Sequence, residues 1–161
     1  MSTAIIAIDG LGGAGKTTLS EKLAAELNNA PIIHTDDFAS WDNPLNWWLR
    51  LLEQVLEPLG RNESGRYQRY DWDRQVLAEW YDVPVTRYLV LEGVSASRSA
   101  FKPFLAFSIW VETPREERLR RGLARDGESA HEQWARWMAE EDAYLKDEQP
   151  AQRADLLVPG S

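Results

Sequence analysis

Residues 10–18 read Gly-Leu-Gly-Gly-Ala-Gly-Lys-Thr-Thr, and Gly10, Gly15, Lys16 and Thr17 stand at the spacing G-x-x-x-x-G-K-[ST]. These residue types suit the holding of a chain of phosphates. Glycine lets a backbone curl until successive N–H groups point inward and form a nest for an anion. The nest is expected to run through Gly10, Gly12, Gly13, Ala14, Gly15, Lys16, Thr17 and Thr18. Lys16 supplies a mobile positive charge for the β- and γ-phosphates. The Thr17 hydroxyl is a small, hard oxygen ligand suited to Mg2+. A helix that starts here points its positive end at the same anion.

Moving a phosphoryl group needs more than a cradle. It needs metal ligands, an acceptor site, in some enzymes a base, and positive charge on the group in flight. Asp36 and Asp37 follow the apolar run Pro31–Thr35. Adjacent residues of an extended chain point opposite ways, so one of the two is expected to face the γ-phosphate. Asp36 is the preferred one, as a base for an acceptor hydroxyl or as the holder of a metal-bound water. The plainer alternative is an Asx turn or a helix cap. Glu92 ends the run Tyr88–Leu91 and is expected to order the Mg2+ shell. The metal set is thus Thr17, Asp36 and Glu92. Asp9, just before the cradle, is read as a structural cap for its backbone.

Arg118, Arg121 and Arg125 are spaced at three and four and share one helical face. Beside the break Asp126-Gly127 they suit a lid that clamps phosphates, although a solvated face gives the same pattern. Trp41, Tyr67, Arg69, Tyr70, Asp71 and Trp72 could wall an acceptor pocket, with packing of loops onto the core as the alternative. His34 and His131 are too few and too far apart for a metal site, and both are read as structural.

These residues need a scaffold. Ala4–Ile8, Pro31–Thr35, Tyr88–Leu91, Phe107–Val111 and Ala154–Val158 are short apolar runs that read as strands. Leu19, Leu23, Ala24 and Leu27 recur at helical spacing after the cradle. Asp42-Asn43-Pro44 signals a helix start, and an apolar stripe from Leu45 to Leu56 follows it. Residues 61–72 read as a loop or short hairpin and 73–80 as a short helix. Further helices are expected from Pro114 to Arg125 and over 130–147. Strands alternating with helices mean a parallel three-layer α/β fold with right-handed crossovers, one domain over residues 1–161.

Composition bounds the rest. The 161 residues hold no cysteine, which excludes disulfides and thiolate metal sites. No apolar run approaches the about 18 residues of a membrane-crossing helix, and the N-terminus lacks the layout of a signal peptide. A cytoplasmic protein with no membrane partner is expected. The net charge of -8 argues against nucleic acid as a partner. A monomer or a homodimer is compatible with the composition.

Six pieces in order along the chain resemble the uridine kinase-like branch of P-loop small-molecule and nucleoside kinases, in its compact bacterial form. They are Gly10–Thr17, Thr35-Asp36-Asp37-Phe38, Tyr70-Asp71-Trp72, Leu91-Glu92-Gly93, Arg118–Asp126 and Ala154–Gly160. The resemblance implies a P-loop NTPase fold with a five-stranded parallel sheet in the order 2-3-1-4-5. It implies that Asp36 is the catalytic aspartate and that Glu92 is associated with magnesium. Arg121 and Arg125 would be a lid pair on adenine and phosphates, and Pro159 would lie in the turn beside adenine. The chain departs from the family where Asp73-Arg74-Gln75 follows Tyr70-Asp71-Trp72 without a histidine, and where the lid loop after Asp126 is truncated. Uridine as acceptor therefore does not follow. The expectation is an ATP- and Mg2+-dependent kinase acting on a hydroxyl of a small molecule, nucleosides included. A nucleotide hydrolase or an ATP-sensing module without an acceptor are the alternatives.

Overall fold

In the computed structural model, which describes residues 2–160, the chain runs through seven strands and six helices. β1 (Ala4–Asp9) leads through the glycine loop into α1 (Lys16–Glu26), and β2 (Ile32–His34) ends in a 3-10 turn (Thr35–Asp37). α2 (Trp48–Leu51) passes through a π-helical stretch (Leu52–Leu56) into α3 (Glu57–Gly60). β3 (Gly65–Asp71) and β4 (Val76–Val83) form an antiparallel hairpin, and β5 (Tyr88–Glu92) and β6 (Leu105–Glu112) follow. α4 (Arg115–Asp126), α5 (His131–Glu148), α6 (Pro150–Arg153) and β7 (Leu156–Pro159) complete the chain.

The main sheet is parallel in the order β2-β5-β1-β6-β7. Without the two hairpin strands this is the expected 2-3-1-4-5. Alternation along β1 sets the layers, since successive strand side chains face opposite ways. Ile6 and Ile8 meet Leu19, Leu23 and Leu27 of and after α1 on one side. Ile5 and Ala7 share the other side with Leu51, Val55, Phe101 and Met138. Ile8, Val90 and Leu91 are fully buried, each contributing about 1.5–3 kcal/mol on the usual area scale. Ile8 pairs with Glu92, which brings the end of β5 beside the start of the glycine loop.

Two local expectations are corrected. Residues 73–80 are not a helix. Asp71 Oδ1 accepts the N–H groups of Asp73 and Arg74, at 2.9 and 3.1 Å, and turns the chain into β4. The helix expected from Asp42-Asn43-Pro44 begins only at Trp48. Asn43 Oδ1 instead accepts the N–H of Asn46 at 2.9 Å and holds a turn. The π-helical stretch then rotates the apolar stripe, so Leu51, Val55 and Leu56 are buried and Leu49 is 51% exposed. Among the described residues no helix is long and apolar enough to cross a membrane.

Candidate active site

The glycine loop lines a cavity of about 480 Å3 with Gly12, Gly13, Ala14, Gly15, Lys16, Thr17 and Thr18. Its shape is held from behind. Asp9 is wholly buried, and its Oδ1 accepts the N–H of Gly10 at 2.7 Å, the capping role read from the sequence. The other donors to Asp9 are the N–H groups of Ser95 and Ser97 and the hydroxyls of Ser97 and Tyr144. Gly13 adopts a φ of +81°, and a Cβ there would stand 2.6 Å from the Arg118 carbonyl oxygen. Only glycine fits that combination of left-handed backbone and close approach. Lys16 is buried and donates to the Leu11 carbonyl at 2.9 Å. Gly10 itself does not line the cavity.

The hairpin sorts the two aspartates. Tyr67 donates its hydroxyl to Asp37 Oδ2 at 2.9 Å, and Trp72 donates its indole N–H to the Asp36 carbonyl at 2.8 Å. Asp37 is thereby held on the outer side, where it lines a second cavity of about 410 Å3. Asp36 lines the loop cavity. Its carboxylate is open to the cavity yet ringed by protein, and that crowding raises its pKa. Lys16 pulls the pKa back, and the Glu92 carboxylate adds to the rise.

Glu92 lies at the tip of β5 and lines the same cavity. His34 Nδ1 pairs with Glu92 Oε2 at 2.5 Å, and this hydrogen bond raises the imidazole pKa. The donor set suits Mg2+. Thr17, Asp36 and Glu92 are hard oxygen donors on the lining of one cavity, and the Glu92 charge raises the Asp36 pKa, a repulsion that a divalent cation relieves.

The arginine face divides. Arg118 is buried, donates to the Thr113 carbonyl at 3.1 Å and lies 3.5 Å from Glu141, so it belongs to the core and not to a lid. Arg121 binds Glu117 and donates to the Gly13 carbonyl at 3.1 Å, buttressing the loop from outside the cavity. Arg125 alone of the three lines the cavity, paired with Asp126 and 5.6 Å over the Trp134 ring.

A family model described as an AAA domain matches residues 6–146. The chain belongs to the AAA domain family. The AAA-domain match runs from β1 nearly to the end of α5, so it takes in the loop, both aspartates, Glu92 and the arginine helix. A curated relative, the uridine kinase of Borrelia duttonii (strain Ly), is 25% identical, over 96% of this chain and 85% of its own. A solved structure from Bacillus stearothermophilus, described as a possible uridine kinase, shares the fold with a TM-score of 0.72 and 22% identity, over 98% of this chain and 89% of that one. The shikimate kinase of Bacteroides thetaiotaomicron aligns at a TM-score of 0.51 and 15% identity, over 98% and 86%.

Within this AAA domain the expected acceptor residues separate. Trp41 and Trp72 line the loop cavity. Tyr67 and Arg69 line the second cavity instead, and Arg69 is bound by Glu79 and Asp71. Tyr70 packs edge-on against Trp72 behind the wall. Pro159 of β7 pairs with Glu112 of β6 and does not line the cavity. Three participants lay outside the expectation. Trp134 and Trp137 of α5 line the cavity, and Glu141 on the same helix accepts the Gly12 N–H at 2.6 Å. Their spacing at three and four marked one helical face, but nothing local tied that face to a loop more than a hundred residues earlier.

Proposed function

We propose that the protein is a kinase that transfers the γ-phosphoryl group of ATP to a hydroxyl of a small molecule. One observation carries this reading. Asp36 lines the same cavity as the glycine loop, and at about 480 Å3, with Trp41 and Trp72 also on its lining, that cavity has room for an alcohol beside the phosphates. The kinase names of the relatives support it, since uridine and shikimate both offer hydroxyl groups.

The loop N–H groups and Lys16 would hold the phosphates. Thr17, Asp36 and Glu92 would hold Mg2+, which neutralises phosphate charge when bound. His34 fixes the Glu92 carboxylate by its hydrogen bond. Asp36 would orient the acceptor and take its proton. The acceptor oxygen then bonds to the γ-phosphorus as the bond to the β–γ bridging oxygen breaks, and ADP leaves. Arg125, on the cavity lining, would turn from Asp126 to the phosphates, while Arg121 would position the loop through Gly13. Trp41 and Trp72 would bind the acceptor. Tyr67 and Tyr70 would act only through Asp37 and Trp72, the residues that they touch.

ATP consumption with a panel of nucleosides, sugars and other alcohols tests the proposal. Stimulation by one class of acceptor is the expected result. Rates that no added compound changes favour a hydrolase.

A further inference from the structure

Arg50 of α2 is half-buried and lines neither cavity. Its Nη2 donates to the Gln68 carbonyl of β3 at 2.7 Å, and its Nη1 donates to the Phe38 carbonyl at 3.4 Å. The guanidinium also lies 5.2 Å from the centre of the Phe38 ring. Phe38 closes the 3-10 turn that carries Asp36 and Asp37, through its N–H to the Thr35 carbonyl at 2.9 Å. A helical turn ends with carbonyls that lack a partner within it, and Arg50 takes the one at Phe38.

The charge of Arg50 has no counter-ion. Burial lowers its pKa, and no carboxylate among the described residues offsets that. A desolvated cation without a partner ion costs stability, so stability does not account for an arginine here. A planar fork that reaches two carbonyls and a ring does. What the fork joins is the aspartate turn and the hairpin. Phe38 is buried and stacks on Tyr67 of β3 at 5.0 Å and on Trp47 at 5.7 Å. Tyr67 in turn holds Asp37, and Trp72, just past β3, holds the Asp36 carbonyl. Arg50 adds a tie between turn and hairpin that comes from a third element, α2.

Building on the kinase reading, we infer that Arg50 is a positioning residue for Asp36. It locks the aspartate turn to the hairpin, so that Asp36 and Trp72 keep a fixed relation on the lining of the loop cavity. Arg50 touches neither nucleotide nor acceptor, and its effect on transfer passes through Asp36.

Indole N–H signals of the isotope-labelled full chain, with Mg2+ and adenylyl imidodiphosphate bound, test the clamp without any acceptor. Arg50→Met is expected to shift the Trp72 signal and to speed its exchange with solvent by about tenfold, the scale of one hydrogen bond. The Trp110 and Trp134 signals, whose N–H groups are bonded to Glu112 and Asp126, should stay in place, as general loosening of the fold would not allow. Arg50→Lys keeps the charge and should move the Trp72 signal the same way by less; it decides the matter where Arg50→Met does not fold. In turnover with the alcohol that most stimulates wild type, Arg50→Met is expected to lower kcat roughly tenfold or more, with KM for ATP within about twofold. In an Asp36→Asn background it should cost nothing further, because the two residues act as one unit. A Trp72 signal that neither variant moves, or a loss that multiplies with that of Asp36→Asn, overturns the inference and leaves the kinase reading standing. A wild type that transfers phosphate to no alcohol removes the kinase reading, and with it the role of Arg50 in transfer.

Discussion

Glu141 Oε2 accepts the Gly12 N–H at 2.6 Å, so a fully buried carboxylate on α5 holds the glycine loop in place. Burial raises the Glu141 pKa, with the Gly12 N–H, Lys16 and Arg118 each pulling it back. Glu141→Ala leaves the loop N–H without its acceptor, a loss of about 1–3 kcal/mol. The expected outcome is weaker ATP binding, by roughly five- to a hundredfold on that scale. Glu141→Gln keeps an oxygen for Gly12 and is expected to restore most of it. Calorimetric titration of ATP into the three proteins checks this, and equal affinities would remove Glu141 from the positioning role.

Gly122 lets α4 and α5 touch. A Cβ at this position would stand 2.5 and 2.6 Å from the Trp134 ring, too close for any real contact. Gly122→Ala must push Trp134 or the helix aside, at about 1–3 kcal/mol for an overpacked site. Thermal unfolding should fall by several degrees, about 2–4 °C per kcal/mol at this chain length. An unchanged midpoint would mean that the helices separate freely.

The His34–Glu92 pair makes stability depend on pH. The pKa of folded His34 is raised above 6.5, chiefly by its hydrogen bond to Glu92. A group raised on folding contributes stability that is full below its unfolded pKa and is lost as pH rises through the folded one. Wild type should therefore exceed His34→Gln in urea midpoint at about pH 6, and the gap should close in mildly alkaline buffer. A gap that is constant across this range would contradict the pairing.

Asp36→Asn removes the base while keeping the shape of the cavity wall. Turnover is expected to fall by roughly 10²–10⁴-fold, the usual worth of a positioned base. ATP affinity should change little, because the loop holds the phosphates. Asp37→Asn, on the side of the second cavity, should cost far less. Equal rates for wild type and Asp36→Asn would exclude the base role.

What could be read from the sequence was local in origin. The glycine loop announces itself because its nest is made by consecutive residues, and the five sheet strands because each is a compact apolar run. β4 was hidden because its residues are mostly exposed, so no buried face imposed a period of two on Val76–Val83. The arginine stripe was visible, but its division was not. Arg118 is buried by Thr113 and Glu141 from other elements, and only Arg125 reaches the cavity. Trp134, Trp137 and Glu141 read as the core face of a helix. That this face meets the glycine loop follows from the crossover of the chain, which no local pattern encodes.

The fate of the γ-phosphate tests the central claim most directly. ATP labelled at that position is turned over with Mg2+ and a stimulating alcohol, and the label is sought in an organic phosphate and in free phosphate. The account predicts label on the alcohol oxygen, with no transfer by Lys16→Ala. Label found only in free phosphate, at the same rate with and without the alcohol, would contradict it.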